Sequence, residues 1–368
     1  MRLTAGMLVV AAVLCVAPAH AQREVTQSRL RDVSLALQRM CEVQAVSGHE
    51  APLAKRIQSL LPVGLQGTVD GHGNVIVELG PGPTGITFIA HQDEIGYEVK
   101  GLEADGRATL VKRGGFYDFL LEGHAVVVGT SAGPVNAVVA PRASWLEPRA
   151  DKEAITPEEL RLDFGTDSWA ATAALGVKAG DPVTVTKRYD RLGAFGASAR
   201  SLDDRVGCAA LLLALQELQG ANLKRKVKFV FSTEEELGLY GADFAAKADP
   251  GSVCFAVDTF VSSDTPLENP RFAYAPLGEG CVVRAIDTSV IAPAGAVNRV
   301  LRLAREARIP AQLGMTNGGN DGARYVTEGA VDVPIGWPLR YSHSNAEVID
   351  LRDVDALAAL IGQLARKW

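Results

Sequence analysis

Short apolar runs rich in β-branched residues alternate with amphipathic stretches along most of this 368-residue chain, and that alternation narrows the possible folds more than any other feature. Residues 33–46 (VSLALQRMCEVQAV) carry apolar positions at helical spacing, and a second amphipathic stretch covers residues 52–61. From Asn74 the period becomes that of strands, NVIVELG and then GITFIA, with Gly and Pro between them. RVGCAALLLALQEL reads as a helix stopped by Gly220, KVKFVFS and SVCFAV as strands, and GAVNRVLRLAREAR as a helix. Strands that alternate with helices of these lengths predict an α/β fold, a mixed sheet sandwiched by helices.

Residues 98–187 break the rhythm. They hold short β runs (RATLVK, HAVVVGT, NAVVA, DPVTVT) separated by Gly and Pro, with one acidic helical patch at TPEELRL. Short strands at regular spacing predict a small β-barrel or sandwich inserted into the α/β domain. The chain is therefore read as an α/β domain in two parts, 22–97 and 188–368, around an inserted β domain at 98–187. The edges of those β runs need covering, which favours association between copies.

The first 21 residues read differently again. One positive charge, an apolar run over residues 8–16 and Ala19-His20-Ala21 before Gln22 match a cleavable signal peptide, so a secreted or periplasmic protein is expected. The apolar run is shorter than a membrane span, and no later segment is long and apolar enough, so no stable membrane anchor is expected. With 37 Lys+Arg against 43 Asp+Glu and no basic run, the chain lacks the electrostatic footprint of a nucleic-acid partner. Cys41, Cys208, Cys254 and Cys281 follow the signal segment without CxxC spacing, and whether any of them pair is left open.

Several strands end in residues able to bind a divalent cation or move a proton. GITFIA leads into His91-Gln92-Asp93-Glu94, KVKFVFS into Thr233-Glu234-Glu235-Glu236, and SVCFAV reaches Asp258. VDVPIGWPLRYSHS delivers His343, and Asp203-Asp204 precede a helix N-terminus, which favours negative charge. Ligands of open α/β sheets gather beyond the carboxyl ends of strands. Singly, each is an ordinary strand-end or capping residue. Together, two imidazoles and three carboxylates suit Zn²⁺, Co²⁺ or Mn²⁺.

The motifs Ser47-Gly48-His49-Glu50, Gly73-Asn74, AHQDEIGY, SLDDRVG, EEELGLYGA, VDTFVSSDTP, GGNDGA and RYSHSNAEVIDL follow one another over nearly all of the chain after the signal segment. In these the chain resembles the tetrahedral-assembly (TET-like) family of dinuclear-metal aminopeptidases, the glutamyl, leucyl and lysyl aminopeptidases, some of them formerly labelled cellulases. The resemblance implies a zinc-peptidase-like fold and two divalent ions per subunit, zinc before cobalt or manganese. It implies His91 and Asp258 on one ion, Glu236 and His343 on the other, and Asp203 bridging. It further implies Asp93 hydrogen-bonded to the outer nitrogen of His91, Glu235 as general base, and a cis peptide between Asp203 and Asp204. The activity implied is removal of residues from the amino end of peptides: cations acidify a water and polarise the carbonyl, and Glu235 shuttles the proton. A homo-oligomer is implied, a dodecamer among the possibilities.

Three positions depart from the family pattern. Glu234 stands where Gln is usual and is expected to add a charge near Glu235, Asn320 stands where Thr is usual and is expected at the pocket wall, and VVAPRASWL in the insert lacks a His. Two other readings compete with the aminopeptidase: a related metal-dependent deacylase or carboxypeptidase, and a scaffold that kept the fold without the chemistry. All five ligand positions and Glu235 are filled, which argues against the scaffold.

Overall fold

The computed structural model describes residues 25–141, 156–265, 267–271 and 273–368; the signal segment at 1–21 and residues 142–146 of VVAPRASWL lie outside them. The mixed sheet is present. Its strands run in the order Thr68–Val69, Val75–Leu79, Lys226–Ser232, Thr84–His91, Val253–Val261, Ile335–Leu339, Cys281–Ile286 and Ala311–Met315, with Val331–Asp332 pairing at the start of Val253–Val261. Lys226–Ser232, Thr84–His91, Val253–Val261 and Ile335–Leu339 are mutually parallel, and the pairs on either side of that block are antiparallel.

Helices cover both faces because the central strands present apolar residues to both. Ile86, Phe88 and Ala90 join a core shared with the helices Gln27–Cys41, Leu202–Leu218, Ala294–Glu306 and Leu351–Lys367, whereas Ile89 points to the smaller core under Tyr240–Ala248 and Gly322–Thr327. Phe88 stacks between Phe229 and Phe255 at centroid distances of 5.4 and 5.2 Å, and Trp368 meets Phe255 edge-on at 5.0 Å. Burial of each such ring contributes about 1.5–3 kcal/mol. The cysteines Cys41, Cys208, Cys254 and Cys281 are free and buried.

The insert is a barrel rather than a sandwich. Gly96–Leu102, Ala108–Arg113, Arg161–Asp163, Gly133–Ala140, Ala125–Thr130 and Pro182–Val185 close on themselves around their own core, which includes Tyr97, Leu110, Val128, Leu160, Leu162 and Val183. TPEELRL is not helical beyond one turn. Thr156 and Glu159 cap the 3₁₀ turn Pro157–Glu159 in a capping box, and burial of Leu160 and Leu162 two residues apart then commits Arg161–Asp163 to a strand. The first helix also ends early, at Cys41, because Glu94 takes the chain beyond it: Glu94 Oε1 accepts from Ala45 N at 2.9 Å, and Glu94 N donates to Ala45 O.

Candidate active site

Register brings the strand ends together. His91 pairs with Ser232 across parallel strands, and Ile89 pairs with Ala256, so His91, the acidic run after Ser232 and Asp258 emerge on one edge of the sheet. Asp203 enters from the Ser201 turn before the helix through 218, across a cis Asp203-Asp204 peptide, and His343 from the loop between Ile335–Leu339 and Glu347–Asp350.

His91, Asp203, Glu235, Glu236, Asp258 and His343 meet there. Asp203 Oδ1 lies 3.1 Å from His91 Nε2, and its Oδ2 lies 3.3 Å from His343 Nε2, so one carboxylate faces both imidazoles. His343 Nε2 is also 3.4 Å from Glu236 Oε1. Among the described residues, candidate donor atoms fall within 4.8 Å of one another in three groups: His91, Asp203 and Asp258; Asp203, Glu236 and His343; and His91, Glu235 and Glu236. Imidazole nitrogens and carboxylate oxygens this close fit a divalent cation such as zinc, cobalt or manganese. Asp93 Oδ1 stands 3.4 Å from His91 Nδ1, a contact looser than a hydrogen bond.

Buried acids one layer back hold these segments by their backbone amides. Asp93 accepts from Glu235 N at 3.0 Å and Glu236 N at 3.2 Å, and is itself fixed by the Ser47 hydroxyl at 2.6 Å. Asp204 Oδ2 accepts from His91 N at 2.8 Å while Oδ1 accepts from Gly207 N; a Cβ at Gly207 would lie 2.2 Å from that oxygen, so any larger residue there would displace the Asp204 carboxylate. Arg284 Nη1 sits 3.3 Å from Asp258 Oδ2 and donates to Thr259 O at 2.8 Å. The barrel reaches in too: Gly115 O lies 2.5 Å from His343 Nδ1, and Leu120 O accepts from Asn345 Nδ2.

The electrostatics are those of an acid-rich interior. Burial pushes Glu235 well above the ordinary carboxylate range, opposed by His91 and reinforced by Asp258 and Glu236. Burial raises Asp258 to about 6, with Arg284 opposing. Burial also works to raise Asp203, but His343 and His91 hold it below its usual value. The cleft above these groups measures about 690 Å³ and is walled by Phe116, Tyr117 and Leu120 of the barrel, by Val261 and by the Asn317–Gly319 loop. A larger groove of about 1280 Å³ between Ala51–Leu60 and the barrel contains none of the candidate donors.

Residues 73–360 match the family model of the M42 glutamyl aminopeptidase. The chain belongs to the M42 glutamyl aminopeptidase family. The glutamyl aminopeptidase of Lactococcus lactis subsp. cremoris is 29% identical over 330 residues, covering 85% of this chain and 90% of that one. A solved structure of the Pyrococcus horikoshii TET1 peptidase, titled as assembling into a tetrahedron or a large octahedral shell, matches at 33% identity and a TM-score of 0.85, over 91% of this chain and 100% of that one. A structure titled as the PhTET1-12s dodecamer matches at 33% identity and a TM-score of 0.84, over 91% and 99%. As a member of the M42 family the chain is a peptide hydrolase.

Two departures of this M42 chain land elsewhere than expected. Glu234, in a left-handed conformation, sends its carboxylate to His72 Nε2 at 2.8 Å, with His72 stacked on Phe244. Asn320 is fully buried and ties Asp287 to Gly322 N, leaving the cleft wall to its neighbours. Sequence reasoning missed the parts played by Glu347, Arg284 and Gly115. Only Glu347, four residues after His343 within RYSHSNAEVIDL, carried a signal.

Proposed function

We propose that the chain is a two-metal aminopeptidase that removes N-terminal residues from peptides. What carries this reading is the Asp203 carboxylate, whose two oxygens face His91 and His343. His91 and Asp258 would hold one ion, Glu236 and His343 the other, and Asp203 both. Two bound divalent cations, zinc before cobalt or manganese, supply Lewis acidity that acidifies water and polarises a carbonyl. Glu235 takes a proton from the attacking water and returns it to the leaving amine. Asp93, by accepting from the Glu235 and Glu236 amides, keeps base and ligand pointing to their separate tasks. The barrel segment 115–120 walls the cleft and steadies His343.

The test is a panel of aminoacyl anilides and N-acyl amino acids offered to metal-stripped and metal-reloaded protein. Metal-dependent cleavage of the anilides is expected; cleavage confined to the N-acyl compounds would replace this reading by a deacylase. We further propose that the protein is exported, on the order of charge, apolar run and AxA at its start, and that it is a homo-oligomer, on its likeness to proteins whose structures are titled as a tetrahedron and a dodecamer.

A further inference from the structure

Glu347 is almost wholly buried, and its two carboxylate oxygens go to two different chain segments. Oε1 accepts from His343 N at 2.9 Å and Oε2 from Asp203 N at 3.2 Å, across 144 residues of sequence. Strand pairing puts it there. Glu347–Asp350 lies antiparallel to Gly196–Ala199 with Glu347 opposite Ala199, so its side chain stands where the chain turns from that strand toward Asp203.

Both segments it holds carry backbone that needs holding. Ser201 has φ 69°, Tyr341 62° and His343 59°, left-handed values that non-glycine residues keep only where their surroundings impose them. The same loop is pinned by Arg200 Nη1, which donates to Asn345 Oδ1 at 2.8 Å. Glu347 itself is not among the residues that line the cleft.

We propose that Glu347 is a positioning residue that sets the spacing between Asp203 and His343, and thereby the affinity of the pocket formed by Asp203, Glu236 and His343 for its cation; this rests on the two-metal reading above. The chemistry asks for a carboxylate. Two N–H groups converge on the side chain, and an ionised carboxylate is acceptor-only. Glutamine offers one acceptor and turns an NH₂ toward the other amide, releasing one of the two segments.

The experiment is a zinc titration of the metal-stripped full chain against a competing chelator, for the unaltered protein, Glu347→Gln and a control. The control is Asp353→Asn: Asp353 is likewise buried and accepts from two amides, Gly278 N at 2.7 Å and Gly280 N at 2.8 Å, in a loop that lines no part of the cleft. Glu347→Gln is expected to weaken the more weakly held zinc by about 10- to 100-fold, the usual weight of a group that orients metal ligands. Its metal-free Tm should fall no further than that of Asp353→Asn, whose zinc affinity should be unchanged. Unaltered zinc affinity in Glu347→Gln, or an equal loss in Asp353→Asn, would overturn the assignment. Should Glu347→Gln not fold, Glu347→Asp, which keeps the charge but is too short to reach both amides, is read by the same two criteria. An unaltered protein that takes up no zinc would remove the two-metal reading, and this inference with it.

Discussion

Three consecutive glutamates end in three surroundings. Glu234 pairs with His72, Glu235 enters the cleft, and Glu236 approaches His343. Glu235→Gln keeps the size of the side chain but cannot accept the proton, so turnover should fall roughly 10²- to 10⁴-fold with the metal content intact. Glu236→Gln should lose metal as well. Glu234→Gln should stay within about tenfold of normal, less than one catalytic group contributes. Steady-state kinetics beside elemental analysis check all three, and normal turnover in Glu235→Gln with collapse in Glu234→Gln would place the base one residue earlier. Asp203→Ala should lower occupancy of both ions and His343→Ala mainly of one; unchanged stoichiometry in Asp203→Ala would refute the shared ligand. The residues of this cluster were legible because each closes a recognisable strand or motif. Arg284 and Gly115 were not, since a strand arginine and a turn carbonyl acquire a task only when folding places them beside Asp258 and His343.

Among the elements, the period of apolar residues exposed the long helices and central strands, whose burial follows from their own sequence. It misled where a tertiary partner decides. TPEELRL has the composition of a helix, yet barrel closure buries Leu160 and takes Leu162 as a strand residue, and Glu94 ends the first helix from a distance. The short strand Val331–Asp332 buries a carboxyl beside the smaller core. Burial raises Asp332 to about 7, with Ala256 N opposing and Asp287 adding to the rise. Between the unfolded carboxyl's value of about 3.9 and the folded one, the folded chain keeps a proton that the unfolded chain has lost. Its contribution to stability is therefore complete below about pH 4, declines as the pH rises toward 7, and is flat above that. Asp332→Asn should accordingly raise the Tm at pH 8 by more than at pH 5. Equal shifts at the two pH values, in thermal scans followed by circular dichroism, would contradict this.

At the scale of the whole molecule, open edges of the inserted β strands do not explain association. Among the described residues the barrel strands close on one another and leave no free edge. Exposed apolar residues lie instead on the main sheet's last strand, at Leu313 and Met315, and on the barrel at Tyr117, Phe119 and Trp169. A homo-oligomer remains the expectation, and light scattering at micromolar concentration should report a mass several times that of one chain; a monomer would refute it. Exported protein should begin at Gln22 by N-terminal sequencing, and protein retaining Met1 inside the cell would refute export. The contacts from Gly115 to His343 and from Leu120 to Asn345 bear on how such a molecule can be rebuilt. They make the barrel a poor candidate for modular exchange. A graft that replaced it wholesale to obtain a different quaternary shape would also remove a support of the chemistry, so swaps that preserve turnover should be those whose crossover points leave residues 115–120 with the recipient.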